Sequence, residues 1–192
     1  AGASKECRNA VGKSPPDGDQ LQDILALKYM GKPMLNRSVQ TVAEMAIENG
    51  AGQPLVFDTV ASSFDGFAPS EAHRMVSDFN WRAIATTNYD LFLEAAYGDA
   101  KRRRQVLLPF VKDDEPIDSR KGAVPNPLEY LKLHGSLDHR LDKDIPLVLS
   151  WEQYEKYETN RKNMFHRLIY LSRECPLIFV GYKLADEHIR KL

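Results

Sequence analysis

The chain of 192 residues predicts an α/β domain with a mainly parallel sheet flanked by helices. Three observations carry the prediction. Short apolar stretches of strand length alternate with segments of helical periodicity, the pattern that builds βαβ units. The last of these stretches, 177–180 (LIFV), is continuously apolar, as a strand covered by helices on both faces must be. Polar clusters follow several of the stretches directly, at the strand ends where open parallel sheets bind ligands.

Each element has its own signal. Ala1-Gly2-Ala3-Ser4 places small residues ahead of a predicted helix. Such residues let backbone N–H groups approach a phosphate, whose charge the helix dipole favours, although close packing alone also selects them. Residues 12–19 (GKSPPDGD) read as a loop from their Pro, Gly and Asp content. From about 21 to 79 the chain carries helix patterns and no convincing strand, which predicts a helical insertion packed on the sheet. Leu21, Ile24 and Leu25 open one apolar face there. Val39, Val42, Ala43, Ala46 and Ile47 hold the i, i+3, i+4, i+7 spacing of another, and Pro69-Ser70-Glu71 marks a helix start. Strands are expected at 82–86 (RAIAT), 105–111 (QVLLPFV), 129–133 (EYLKL), 146–149 (PLVL) and 177–180. Leu91, Phe92, Ala95 and Ala96 outline a helix after the first of them. Residues 113–127 read as a loop, Ser150 as the cap of a helix through Trp151 and Tyr154, and Met164, Phe165, Leu168, Ile169 and Leu171 as a further apolar face.

Composition narrows the class. With 26 basic and 27 acidic residues the net charge is −1, so no global field draws the chain onto nucleic acid or anionic lipid. The run Lys101-Arg102-Arg103-Arg104 is short and is followed by Asp113, Asp114 and Glu115. It reads as a solvated loop face, and nucleic acid is not expected to bind this domain directly. Cys7 and Cys175 are too few for a four-thiolate zinc site, and a reducing, cytoplasmic setting fits them. No apolar run approaches the roughly 20 residues of a membrane span. Starting without methionine and ending inside a helical pattern, residues 1–192 are read as a single domain cut from a longer protein.

Three strand ends carry the chemistry. Thr86-Thr87-Asn88-Tyr89-Asp90 follows the first strand, and all five side chains bear a hydroxyl, amide or carboxylate. A helix cap accounts for one of them, not for an Asn and an Asp two apart. Lys132-Leu133-His134-Gly135-Ser136 follows the third strand. Histidine titrates near neutrality and suits proton transfer, and Gly135 clears space beside the imidazole. His73, His139, His166 and His188 have no comparable strand-end, Gly-flanked setting. Phe179-Val180-Gly181-Tyr182, with Asp186 after it, is either a turn presenting backbone N–H groups to an adenosine or only a tight βα connection.

In this order, G-A-S, T-T-N-Y-D, L-H-G-S and F-V-G-Y with a following D, the motifs resemble the SIR2-like family, and within it the domains of bacterial anti-phage defence proteins. The resemblance spans nearly the whole chain; residues 21–79 match only in helical character. It implies a Rossmann-like domain that binds NAD and cleaves its nicotinamide–ribose bond, with NAD as substrate and no metal. Gly2, Ala3 and Ser4 would then line the pyrophosphate, although the family's first strand and initial glycine precede Ala1. Asn88 would contact the nicotinamide ribose and the attacking water, and His134 would be the catalytic base. Asp90 would support the Asn88 loop beside Thr87, and Gly181 and Tyr182 would lie near the adenosine. The four-cysteine zinc module of protein-deacetylating sirtuins is absent from the sequence, which shifts weight towards hydrolysis of free NAD. The implied role is an NAD glycohydrolase that depletes NAD in defence, as a homo-oligomer or within a larger complex assembled through other regions. Two alternatives keep the pocket: an ADP-ribosyltransferase, and a non-catalytic NAD- or ADP-ribose-binding regulatory module.

Overall fold

A computed structural model describes residues 3–101, 103–113, 116–182 and 187–190. A 3-10 turn, Ala3–Glu6, leads into the short strand β1 (Arg8–Asn9). Helix α1 (Gly18–Met30) starts in a capping box: the Asp17 carboxylate accepts from the Gln20 N–H, and the Gln20 side chain accepts from the Asp17 N–H. Ser38 caps α2 (Val39–Ala46), and a π turn joins it to α3 (Gly52–Ser62). Strand β2 (Phe67–Ala68) pairs antiparallel with β1, and Ser70 caps α4 (Glu71–Val76). The α/β part then runs β3 (Ala83–Thr86), α5 (Phe92–Asp99), β4 (Val106–Phe110), α6 (Ile117–Gly122), β5 (Pro127–Lys132), α7 (Trp151–Glu155), α8 (Lys162–Glu174) and α9 (Glu187–Arg190). Among the described residues no helix is long and apolar enough to cross a membrane.

The sheet is parallel throughout, in the order β3-β5-β4, with Ala83 opposite Glu129 and Val106 opposite Pro127. Central β5 is buried from Leu128 to Lys132 because helices cover both faces. On one face Leu128 and Tyr130 pack with Leu93 and Tyr97 of α5; on the other Leu131 packs with Phe110 and with Met164 and Phe165 of α8. This is the doubly covered parallel sheet that the alternating pattern predicts. A third cluster joins Leu21, Leu25, Val42, Val56, Phe57 and Val60 of the insertion to Leu137, Leu147 and Leu149. Those last three residues, and Tyr89 packed beside them, all follow the carboxyl ends of β3 or β5. The insertion therefore sits over the end of the sheet where ligands bind.

Four local expectations are corrected. Of residues 146–149, Leu147, Val148 and Leu149 are buried as a strand would be, yet the stretch runs outside the ladder: Val148 N–H donates to the His134 carbonyl and Leu149 N–H to Gln153 Oε1. Apolar pattern reports the demand for burial, and a loop under a helical lid meets that demand equally well. Residues 177–180 pair with no strand among the described residues, and their side chains are between 50% and 70% exposed. The supposed loop 113–127 contains α6, held by the Arg120 guanidinium stacked 4.4 Å from the Phe110 ring centroid and donating to the Pro109 carbonyl. The insertion also contains β2, a strand of only two residues.

Two charges lie inside the sheet, Lys132 at the end of β5 and Glu129 within it. Glu129 of β5 accepts both arms of the Arg167 fork, at 2.9 and 3.0 Å, and Lys121 at 3.3 Å. Burial alone would push this carboxyl up, but the hydrogen bonds and charge of Arg167, with Lys121, outweigh it and hold it below the ordinary 4.5. A depressed carboxyl stabilises the fold above its unfolded value and loses that contribution as pH falls through the folded value. Below pH 4.5 the unfolding free energy of the wild type should therefore fall more steeply than that of Glu129→Gln. Urea titrations of both proteins at several pH values measure the two slopes.

Candidate active site

Two strand ends are stitched together to form the site. At the end of β3 the Thr86 hydroxyl accepts the Asn88 N–H at 3.0 Å, turning the chain into the loop before α5. The Thr86 carbonyl accepts the Leu133 N–H at 2.9 Å, which brings the end of β5 alongside. Asp90, buried, is the hub of the loop. Its Oδ1 accepts the N–H of Phe92, at the start of α5, and its Oδ2 accepts the Ser4 hydroxyl at 3.1 Å. Asn88 Nδ2 donates to the same Ser4 oxygen at 3.3 Å. The amino-terminal turn and the T-T-N-Y-D loop are thus one hydrogen-bonded unit.

His134 stands beside this unit, only 3% exposed, with its ring edge-on to Tyr154 at 5.4 Å between centroids. Gly135 adopts φ +84°, and a Cβ there would meet Arg161 Nη2 at 3.2 Å, Leu147 at 3.3 Å and the Pro146 carbonyl at 3.3 Å. Backbone conformation and space both demand glycine. Gly135→Ala should cost about 1–3 kcal/mol in denaturant unfolding, from the left-handed conformation plus the crowding. An unfolding midpoint equal to that of the wild type would contradict this account.

Lys132, the last residue of β5, is fully buried beneath the loop. Its ammonium donates to the Asp90 carbonyl at 2.7 Å and to Glu94 Oε1 of α5 at 2.6 Å. Burial pushes the Glu94 carboxyl up, against the pull of Lys132. Behind Ser4 lies a second buried group: His73 Nδ1 is 2.7 Å from the Ser70 hydroxyl and 3.8 Å from Cys7 Sγ. Burial lowers the His73 pKa and raises that of Cys7, so the pair rests as neutral imidazole and thiol. Both cysteines are free.

These groups open onto a cleft with about 830 Å³ of empty space, part of it continuous with solvent. Ser4, Thr87, Asn88, Asp90 and His134 all line it. Phe64, Tyr89 and Tyr154 supply aromatic wall, and Lys5 and Asp17, paired at 2.8 Å, also line it. Ala3 begins the amino-terminal turn, and Gly2 lies outside the described residues. Gly181 (φ +61°) and Tyr182, which stacks on Phe179 at 6.3 Å, are not among the residues lining the cleft, and Asp186 lies outside the described residues. Sequence reasoning passed over Lys132, Tyr154 and His73. A lysine at the end of a mainly apolar strand was the available signal for the first; the other two are recognisable only from their neighbours in space.

A family model for the SIR2-like domain matches residues 82–192, more than half of the chain, and takes in both the T-T-N-Y-D and the L-H-G-S strand ends. No curated protein matches the sequence. SIR2-like domains bind NAD, and members of the family are NAD-dependent enzymes. With its parallel sheet and the two motif-bearing strand ends on one cleft, the chain belongs to the SIR2-like domain family.

Proposed function

We propose that the domain is an NAD glycohydrolase that cleaves NAD to nicotinamide and ADP-ribose. The single observation that carries this reading is the convergence of Asn88 and His134, from two different strand ends, on one cleft whose wall also contains Ser4 and Asp90. The donor set fits a dinucleotide. The 3-10 turn, held to Asp90 through the Ser4 hydroxyl, offers backbone N–H groups to a pyrophosphate, and the aromatic wall offers apolar surface to flat rings.

When bound, NAD supplies a ribose carbon attached to a leaving group that departs neutral. Asn88, anchored through Ser4 and Asp90, orients the ribose and a water molecule. His134 accepts the proton of that water as its oxygen bonds to the ribose carbon and the electron pair of the broken C–N bond leaves with nicotinamide. Lys132 fixes the Asp90 loop from below and touches no reacting atom. In the cell the reading is of an effector that depletes NAD in anti-phage defence, in a homo-oligomer or a larger complex; the motif set of the defence-type domains supports it.

The test is chromatographic. The intact protein with its activating partners, incubated with NAD, should yield nicotinamide and free ADP-ribose in equal amounts. Label from NAD recovered on a macromolecule would establish a transferase instead. NAD bound tightly and recovered intact would establish a binding module, and either outcome overturns the hydrolase.

A further inference from the structure

Arg161, like Glu129 and Lys132, is a deeply buried charge, with 1% of its surface exposed. Asn160, in the left-handed conformation at φ +55°, turns the chain so that Arg161 enters the interior at the start of α8. There Nη2 donates to the Pro146 carbonyl at 2.6 Å, and Nε has no hydrogen-bond partner among the described residues. Among the described residues no carboxylate forms an ion pair with it. Asp113 acts on it only at a distance, since both Asp113 oxygens accept backbone N–H groups of α8, from Asn163 and Met164. Burial draws the guanidinium down to about 10, the mark of a desolvated cation lacking a counter-charge. A purely structural role would be served as well by an apolar side chain of similar size.

Arg161 lines a second cavity, partly open to solvent, which shares only Val148 with the NAD cleft. Lys156, Thr159 and Gln153 bring an ammonium, a hydroxyl and an amide to its wall, and Gln153 Nε2 is already steered towards Gln53 at 3.3 Å. Every one of these groups can donate to an anion. The opposing group is Glu152, which pairs with Lys156 at 2.6 Å and must yield to an incoming anion. From this arrangement we infer that the cavity is an oxyanion site for a phosphate group, free or borne by a nucleotide, with Arg161 at its base and Lys156 and Thr159 around it. A guanidinium fork suits tetrahedral oxyanions, and the missing counter-charge is then supplied by the ligand.

Titration of the chain with inorganic phosphate, followed by phosphorus NMR or calorimetry, tests the site. The wild type should bind saturably. Lys156→Ala should bind about five- to tenfold more weakly, as for the loss of one charge-assisted contact, and Glu152→Gln more tightly. Asn88→Ala should bind as the wild type does. Arg161→Lys, which keeps the charge and loses the fork, should also weaken binding; should that variant fail to fold, the two surface variants decide alone. A parallel titration with adenosine monophosphate separates the sources: tighter binding than inorganic phosphate assigns a nucleotide, and equal binding assigns free phosphate. Absence of saturable binding, wild-type affinity in both Lys156→Ala and Glu152→Gln, or loss of binding in Asn88→Ala would overturn the site. The last outcome would locate the phosphate in the NAD cleft.

Discussion

His134→Ala should lower the rate of nicotinamide release by about 10²–10⁴-fold, the usual contribution of a positioned general base. In the proposed mechanism the loss should fall on kcat, because the imidazole would move a proton and do little to hold the substrate. Asn88→Ala should differ in kind. It removes an amide that, in the proposed mechanism, would orient both the sugar and the water, so KM should rise as well as kcat falling, with roughly 10² or more lost in kcat/KM. Both side chains lie against packed neighbours, His134 on Tyr154 and Asn88 on Ser4. Unfolding midpoints and circular dichroism of each variant therefore separate lost chemistry from lost structure. Wild-type turnover in a folded His134→Ala protein would remove His134 from the mechanism.

Lys132→Met should destabilise the protein by about 3–5 kcal/mol, the cost of leaving a buried charge without its partner. The ammonium is fully buried and divides its bonds between Glu94 and the Asp90 carbonyl. Without it, Glu94 keeps a buried carboxyl whose second oxygen, Oε2, already has no partner. The Asp90 carbonyl loses its donor in the same step. Adding Glu94→Gln should recover much of the stability, because the stranded charge is then gone, but should not restore turnover, because the Asp90 loop remains unbraced. Chemical unfolding and product assays on the single and double variants read the two effects independently. Equal stability of Lys132→Met and wild type would show that the pair adds nothing to the fold.

The two variants differ in how far the sequence anticipated them. Thr86 to Asp90 and His134 are legible because strand-end position, residue type and the flanking Gly135 are local properties, and a parallel sheet converts strand ends into a site by a general rule. Lys132 sits two residues before His134 in sequence, yet nothing local says whether a lysine at the end of a strand points to solvent or is buried against an acid from an earlier helix. The Glu94 partner lies on another element. Ser4 makes the same point. Its small size suggested a phosphate turn, whereas its bonds to Asp90 and Asn88 depend on the whole insertion bringing the amino terminus over the sheet.

The sequence by itself determined the alternation of helix and strand, the parallel sheet and the two polar strand ends, because periodicity, caps and turn residues act over a few residues. Tertiary structure alone decided that residues 147–149 form a buried loop rather than a strand, that 177–180 stay exposed, and that Arg161 is buried without a counter-charge among the described residues. The physical reason is common to all three. An apolar or charged residue states what environment it prefers, but ladder pairing, burial and neutralisation need a partner, and partners are supplied by segments distant in the chain.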